Sequence, residues 1–385
     1  MGDNGRVNTE SVSEPSILAS ALLQRVKEAI AANGGWLPFD RFMAMALYQP
    51  GLGYYANATP KFGHLPQGVQ GQGSDFVTAP ELTPLFGQTL ARQVAQALAA
   101  TDTDEVWEFG AGNGSLALHL LNALAAMGRP VRQYTIVDLS GTLRERQAAT
   151  LAAHADKLRW LDALPDTMAG VVVGNEVLDA MPVQLLSRVA GKWHERGVAL
   201  GEDGALRWAD RETALRPPLD IEGPHDYLTE IHPQAEAFVR TLADRLVRGA
   251  AFFVDYGFPE SEYFHPQRHM GTLICHRAHT TDHEPLEDLG QKDITAHVNF
   301  TGVALAAQDA GMTVLGYTSQ GRFLINCGLL EVAAGAGARE NAMMQKLINE
   351  HEMGELFKVL AFAPPTSTEG WDPLGFSAGD RTHRL

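Results

Sequence analysis

The chain has 385 residues, 45% hydrophobic and 20% charged, with a formal net charge of −16. That is the profile of a globular protein with a large core, and its acidity argues against nonspecific binding to nucleic acid or to anionic membranes. Two cysteines, Cys275 and Cys327, supply neither a disulfide framework nor a zinc-type ligand set.

No apolar run approaches the ~18 residues that a membrane span needs. The opening stretch, residues 1–15, is polar and mildly acidic. It lacks the apolar core of a signal peptide and the Arg-rich character of a transit peptide, so a cytoplasmic location is expected.

Residues 1–14 read as a disordered tail, and 15–100 as a helical region. An amphipathic helix is expected from Ser16 to Ala32, with Ile17, Leu18, Leu22, Val26 and Ile30 on one face and Asn33-Gly34-Gly35 as the stop. A second helix runs from Trp36 to Leu47. The segment 49–75, rich in Gly, Pro, Tyr and Gln, reads as a long loop, and loops of that length tend to be functional. A helix from Phe86 to Ala99 follows. Thr78 or Ser74 is placed to cap the entry to it, and Pro80 and Glu81 suit a first turn.

The stretch 104–116 organises a core spanning 101–182. Val106, Trp107 and Phe109 suit a buried strand, Gly110, Gly112 and Gly114 a tight turn, and Leu116, Leu120, Leu121 and Leu124 the apolar stripe of a helix. Strand, glycine turn and helix make half of a Rossmann-like nucleotide site. A dinucleotide fingerprint needs G-x-G-x-x-G, yet position 115 is Ser. An acid, Glu108, stands two places before the first glycine. A carboxylate there suits a ligand bearing an ammonium and a sulfonium and repels a pyrophosphate. E/D-x-G-x-G-x-G resembles motif I of class I S-adenosylmethionine-dependent methyltransferases, so Glu108, Gly110, Ala111, Gly112 and Gly114 are assigned to the cofactor.

Tyr134–Asp138 is a second strand ending in an acid placed to accept ribose hydroxyls, and Leu139 is grouped with Asp138. A helix (Leu143–Ala153) and a short strand (Leu158–Leu161) lead to Asp162, a candidate for the adenine amine. Gly170–Glu176 is a fourth strand, apolar without alternation, as in a parallel strand covered on both faces. It ends in Asn175-Glu176-Val177-Leu178-Asp179. The carboxyl end of a central strand faces the ligand crevice, which makes Asn175, Glu176 and Asp179 candidates.

Residues 183–232 change pattern: Val183–Leu186, Gly191–Val198 and Ala205–Trp208 suggest an inserted β-subdomain or lid. The core resumes over 233–330, with a helix at Gln234–Val247 and a strand from Gly249 to Asp255 at the same sheet edge as Glu176. Six histidines (His265, His269, His276, His279, His283 and His297) crowd 261–297, but their spacing matches no closed metal site, and no metal is expected. Thr313–Thr318 and Arg322–Asn326 read as an antiparallel edge pair, and 331–385 as a helical tail containing a helix at Asn341–Lys358.

Several pieces together resemble the MidA-like methyltransferases, spread in order over about residues 15–330. They are Asp75-Phe76-Val77-Thr78-Ala79-Pro80-Glu81, Glu108 through Leu116, Asn175 through Pro182, Asp255-Tyr256-Gly257, and Gly271 through Phe300. The resemblance implies an α/β class I fold with a helical N-terminal part, S-adenosylmethionine as cofactor, and symmetric dimethylation of an arginine in a subunit of respiratory complex I. It implies a mitochondrial matrix location for the organellar branch. Carboxylates that pair with one edge of a guanidinium can orient the other nitrogen. Glu176 is the first choice for this, then Asp179, with Asp75 and Glu81 also facing the acceptor and Thr78 beside the cofactor. Asp255 or His297 is placed to take the released proton. A small-molecule methyltransferase and a non-catalytic assembly factor that keeps the fold stay open.

Overall fold

Apolar runs too continuous to have a solvent face build the centre of the molecule. The computed structural model describes residues 14–57, 78–138, 141–277 and 280–385. The main path of its largest sheet comprises β1 (Glu105–Phe109), β2 (Gln133–Val137), β3 (Leu158–Leu161), β4 (Met168–Asn175), β5 (Leu246–Phe258), β6 (Thr313–Ser319) and β7 (Phe357–Ala363). Their spatial order is β6-β7-β5-β4-β1-β2-β3. Pairings from β3 to β5 are parallel, and β7 runs antiparallel between β5 and β6. The order of β1 to β5 is that of a doubly wound sheet, whose ligand crevice lies at the carboxyl edge beside β1 and β4. The expected α/β class I fold is therefore borne out.

Helices cover both faces. Pro84–Ala100, Ser115–Ala126, Gln320–Asn326 and Ala338–Ile348 pack on one side, and Pro233–Arg245 and Phe300–Asp309 on the other. The helix at 84–100 starts at Thr83, whose Oγ1 accepts the Leu85 N–H at 3.3 Å, so Thr78 does not cap it, and Ser74 lies outside the described residues. Thr78 instead precedes the short helix Ala79–Leu82 and makes no side-chain cap bond.

The C-terminal part departs from expectation. Arg322–Asn326 is helical, the helix expected to reach Lys358 ends at Ile348, and the partner of β6 is β7. Every residue of β7 is buried. A strand covered on both faces has no alternation, so its Phe-Lys-Val-Leu-Ala-Phe-Ala run carries no period that separates it from a helix. The segment 261–297, expected to be loop, contributes the antiparallel strands Ile274–Arg277, Thr280–Asp282 and Asp293–Thr295.

A second sheet combines Gln184–Val189, Lys192–Leu200, Leu206–Glu212 and Tyr227–Ile231, the last unanticipated, with Leu37–Pro38 from the start of the chain. Between this sheet and the helices Glu14–Ala32 and Phe39–Tyr48 lies a separate apolar core, including Leu22, Val26, Phe39, Phe42, Leu185, Val198, Cys275 and Ile294. The N-terminal helices, the inserted sheet and the 274–295 strands thus share one core beside the main sheet. Residues 1–13 and 58–77 lie outside the described residues, as do Leu139 and His279.

Leu360 in β7 is fully buried. Leu360→Ala should cost about 2–5 kcal/mol in a urea titration, as for a core truncation. A loss below about 0.5 kcal/mol, the value of a surface position, would contradict its place inside the sheet.

Candidate cofactor and acceptor site

The glycine turn leaves β1 with Gly110 at φ +64°, Gly112 at φ +52° and Gly114 at φ +88°. All three occupy the left-handed region that residues bearing a Cβ avoid. At Gly110 a Cβ would also come within 2.9 Å of Val177 Cγ2. Ala111 is buried, and its carbonyl closes the turn by accepting the Gly114 N–H at 2.8 Å. Asn113 ties the turn to the N-terminal region: its Nδ2 donates to Glu81 Oε1 at 2.7 Å, while its Oδ1 accepts the Ser115 N–H at 3.0 Å. Burial raises the Glu81 carboxyl to about 7.

Glu108 lies inside β1. Its Oε2 accepts from the Tyr134 hydroxyl at 2.6 Å. Burial pushes its pKa to about 8, with that hydrogen bond opposing and the Asp138 charge adding. Asp138 follows β2 at the carboxyl edge. Gln147, fully buried, donates from Nε2 to Asp138 Oδ2 at 2.8 Å and to the Gly112 carbonyl at 3.1 Å, and its Oε1 accepts from Trp160 Nε1 at 2.9 Å. It connects the glycine turn to the ribose-type acid, and the motif-based reading missed it. The signal was there: Leu143, Gln147 and Leu151 recur at helical spacing, and all three are buried, so a polar side chain stands in a core stripe. Asp162, after β3, pairs with Arg144, which also donates to the Asp138 carbonyl from Nε at 3.2 Å.

The second half of the site follows β4. Glu176 adopts φ +54°, a strained conformation for a residue with a side chain, directly after a buried parallel strand. The turn 177–179 is held from β5. Asp255 Oδ2 accepts the N–H groups of Val177 at 3.1 Å, Leu178 at 2.9 Å and Asp179 at 3.3 Å, and Oδ1 accepts that of Tyr256 at 2.9 Å. Burial, then the charges of Asp179 and Glu176, push the Asp255 carboxyl upward against these donors.

Burial and Asp179 raise Glu176 to about 8, while the Asn175 side chain and the Ala79 N–H bond to it and oppose the rise. Asp179, buried and bonded by the Tyr256 hydroxyl, is raised to about 6. Asn175 Nδ2 donates to Glu176 Oε1 at 3.0 Å. Among the described residues, Asn175 Oδ1, Asp179 Oδ1 and Glu81 Oε2 are buried with no partner.

The structure therefore brings Glu81, Asn175, Glu176, Asp179 and Asp255 together beside the glycine turn. His297 stands one layer back. Its ring packs edge-on against Tyr256 at 5.2 Å, and burial with the nearby Arg268 and Lys358 cations lowers its pKa to about 4. Asp75 and Leu139 lie outside the described residues. No group of three His, Cys, Asp or Glu side chains suited to a metal occurs among the described residues. A cavity of about 480 Å³ opens at the opposite, amino edge of the sheet, where Arg132, Arg159 and Arg248 already pair with Glu105, Asp104 and Asp102. It is remote from the cluster.

Residues 89–318 match a family described as "Putative S-adenosyl-L-methionine-dependent methyltransferase". A Burkholderia thailandensis protein crystallised with S-adenosyl-homocysteine bound is 49% identical, with a TM-score of 0.91 over 97% of this chain and 99% of that one. The mitochondrial protein arginine methyltransferase NDUFAF7 homolog of Caenorhabditis elegans is 27% identical over 90% of this chain and 88% of its own length. The human mitochondrial protein arginine methyltransferase NDUFAF7 is 26% identical over 87% and 82%.

Gln147→Leu keeps the volume of the buried side chain and removes its bonds to Gly112 and Asp138. It should weaken S-adenosyl-homocysteine binding about 10-fold by calorimetry, since two net hydrogen bonds contribute roughly 1–3 kcal/mol. Unchanged affinity would exclude the bridge from the cofactor site.

Proposed function

Because the chain belongs to this family of S-adenosyl-L-methionine-dependent methyltransferases, we propose that its buried carboxylates receive a protein arginine and direct one guanidinium nitrogen to the methyl donor. The cofactor is S-adenosyl-L-methionine. When bound it supplies a methyl carbon activated by a sulfonium. The residues present fit it: a glycine turn with three positive-φ residues, an acid after β2, and an acidic, acceptor-rich wall suited to a cation. Glu108, Gly110, Ala111, Gly112, Gly114, Asp138 and Asn175 are the residues that would hold it, with Gln147 fixing the turn. Thr78 and Asp162 border this set.

One observation carries the arginine reading. Glu176, half-buried in a strained turn at the end of the central strand, stands with the buried Asp179, and among the described residues no cation pairs with either. Like charges brought this close hold protons until a cation arrives. A guanidinium stays protonated at neutral pH and presents planar paired donors, so it matches two carboxylates better than an ammonium does. Glu176 pairs with one edge of it and localises electron density on the opposite nitrogen. The Glu176–Asp179 pair then takes the proton released as that nitrogen is methylated. Asp255, with both oxygens engaged by backbone N–H groups, positions the turn, and the low pKa of His297 makes it a poor proton acceptor.

The names of the mitochondrial relatives support a protein acceptor. The resemblance points to a respiratory complex I subunit, modified in the matrix for the organellar branch and in the cytoplasm for a bacterial protein.

Glu176→Gln should abolish methyl transfer to protein while S-adenosyl-homocysteine affinity changes less than about 3-fold. Gly112→Val should abolish cofactor binding, because a β-branched residue cannot adopt φ +52° without strain. A scaffold would keep partner capture in both variants. With Glu176 at about 8, affinity for a guanidinium should rise with pH, by up to ten-fold per unit, and level off above that value. A flat titration between pH 6 and 9 would remove Glu176 from the acceptor site.

A further inference from the structure

The helix Phe39–Tyr48 ends at a tyrosine that is 36% exposed although its hydroxyl turns inward, donating to the Ala180 carbonyl at 2.8 Å. Ala180 directly follows Asp179. On one side the Tyr48 ring stacks with Tyr55, with centroids 5.6 Å apart and planes at 18°. Tyr55 is fastened in turn: its hydroxyl donates to Asp293 Oδ2 at 2.7 Å, and Tyr54 packs edge-on against it at 5.0 Å. The Tyr48 ring is thus tied by its hydroxyl to the residue that follows Asp179 and backed by Tyr55, itself held by Asp293, while part of Tyr48 stays exposed.

The arrangement has a cost that its chemistry explains. Both phenols sit where burial and the charges of Asp293 and Asp179 hold them protonated, and the Asp138 charge reaches Tyr48 as well. Tyr48 is therefore within electrostatic reach of both the acid that follows β2 and the acid of the β4 turn. A fixed aromatic face beside paired carboxylates is a receptor for a flat cation, with the ring quadrupole attracting the face and the carboxylates the edge. An ammonium has no face to stack.

We infer that Tyr48, buttressed by Tyr55, is the platform on which the acceptor guanidinium stacks, and that it sets the preference for arginine over lysine. This rests on the assignment of Glu176 and Asp179 to the acceptor. The test is titration of the S-adenosyl-homocysteine-loaded full chain with N-acetyl-arginine methylamide and N-acetyl-lysine methylamide, for the unmodified protein, Tyr48→Phe and Tyr48→Leu. The unmodified protein should bind the arginine probe more tightly than the lysine probe. Tyr48→Leu should weaken arginine binding roughly 5- to 30-fold, with S-adenosyl-homocysteine affinity changed less than about 3-fold. Tyr48→Phe keeps the ring and should restore arginine binding to within about 3-fold.

Equal binding of the arginine probe by Tyr48→Leu and the unmodified protein overturns the platform and leaves the acceptor reading standing. A parallel loss of S-adenosyl-homocysteine affinity in Tyr48→Leu also overturns it, because the ring would then serve the turn or the cofactor. Failure of the unmodified, cofactor-loaded protein to bind the arginine probe overturns both.

Discussion

The carboxylate of Asp255 is the constraint on which the candidate site depends. Four backbone N–H groups converge on its two oxygens, three of them from the turn that leaves the neighbouring strand β4. A buried carboxylate left unsolvated is costly, and those donors offset the cost. In return it draws residues 177–179 toward β5. Glu176, the residue before them, is then left in the left-handed region at the carboxyl edge of the sheet. Strain of this kind persists only where its surroundings over-determine it, and the parallel β4–β5 pairing supplies that determination up to Asn175.

From this follows the electrostatic character of the site. Asp179 is buried and Glu176 half-buried beside Asp255, and Glu108 is buried and Glu81 half-buried around the glycine turn; every one of these groups is pushed above the ordinary carboxylate range. Carboxyls held this way favour a sulfonium donor over any phosphate-bearing ligand. A dinucleotide would meet the opposite of what its pyrophosphate requires, in agreement with the serine at position 115.

Around the sheet, remote segments are joined by packing. Leu37–Pro38 pairs with the inserted strand Lys192–Leu200, and the helices Glu14–Ala32 and Phe39–Tyr48 share a core with the strands at 274–295. The same body carries Tyr48 to the end of the β4 turn, where its hydroxyl reaches Ala180, and holds Tyr55 beside it through Asp293. Glu81 reaches the glycine turn through Asn113 from another part of the N-terminal region. The carboxyl edge of the sheet thus meets side chains from both parts of the N-terminal region.

What was legible in the sequence was local. Gly110, Gly112 and Gly114 announce positive φ because other residues avoid it, and Val171-Val172-Val173 announces a strand covered on both faces. Asn175-Glu176 after that run announces the crevice. These features determined the fold class and the cofactor class without reference to distant residues. The rest was decided by long-range pairing. Whether Phe357–Ala363 is strand or helix depends on the gap between β5 and β6, since its composition suits either. Asp255 reads as one acid at a strand end, and only the fold delivers four N–H donors to it. Gln147 and Tyr48 acquire their roles from Asp138, Gly112 and Ala180, which lie elsewhere in the chain. Backbone conformation is set by each residue and its neighbours, whereas hydrogen-bond partners and burial are set by which surfaces meet, and that only the tertiary structure decides.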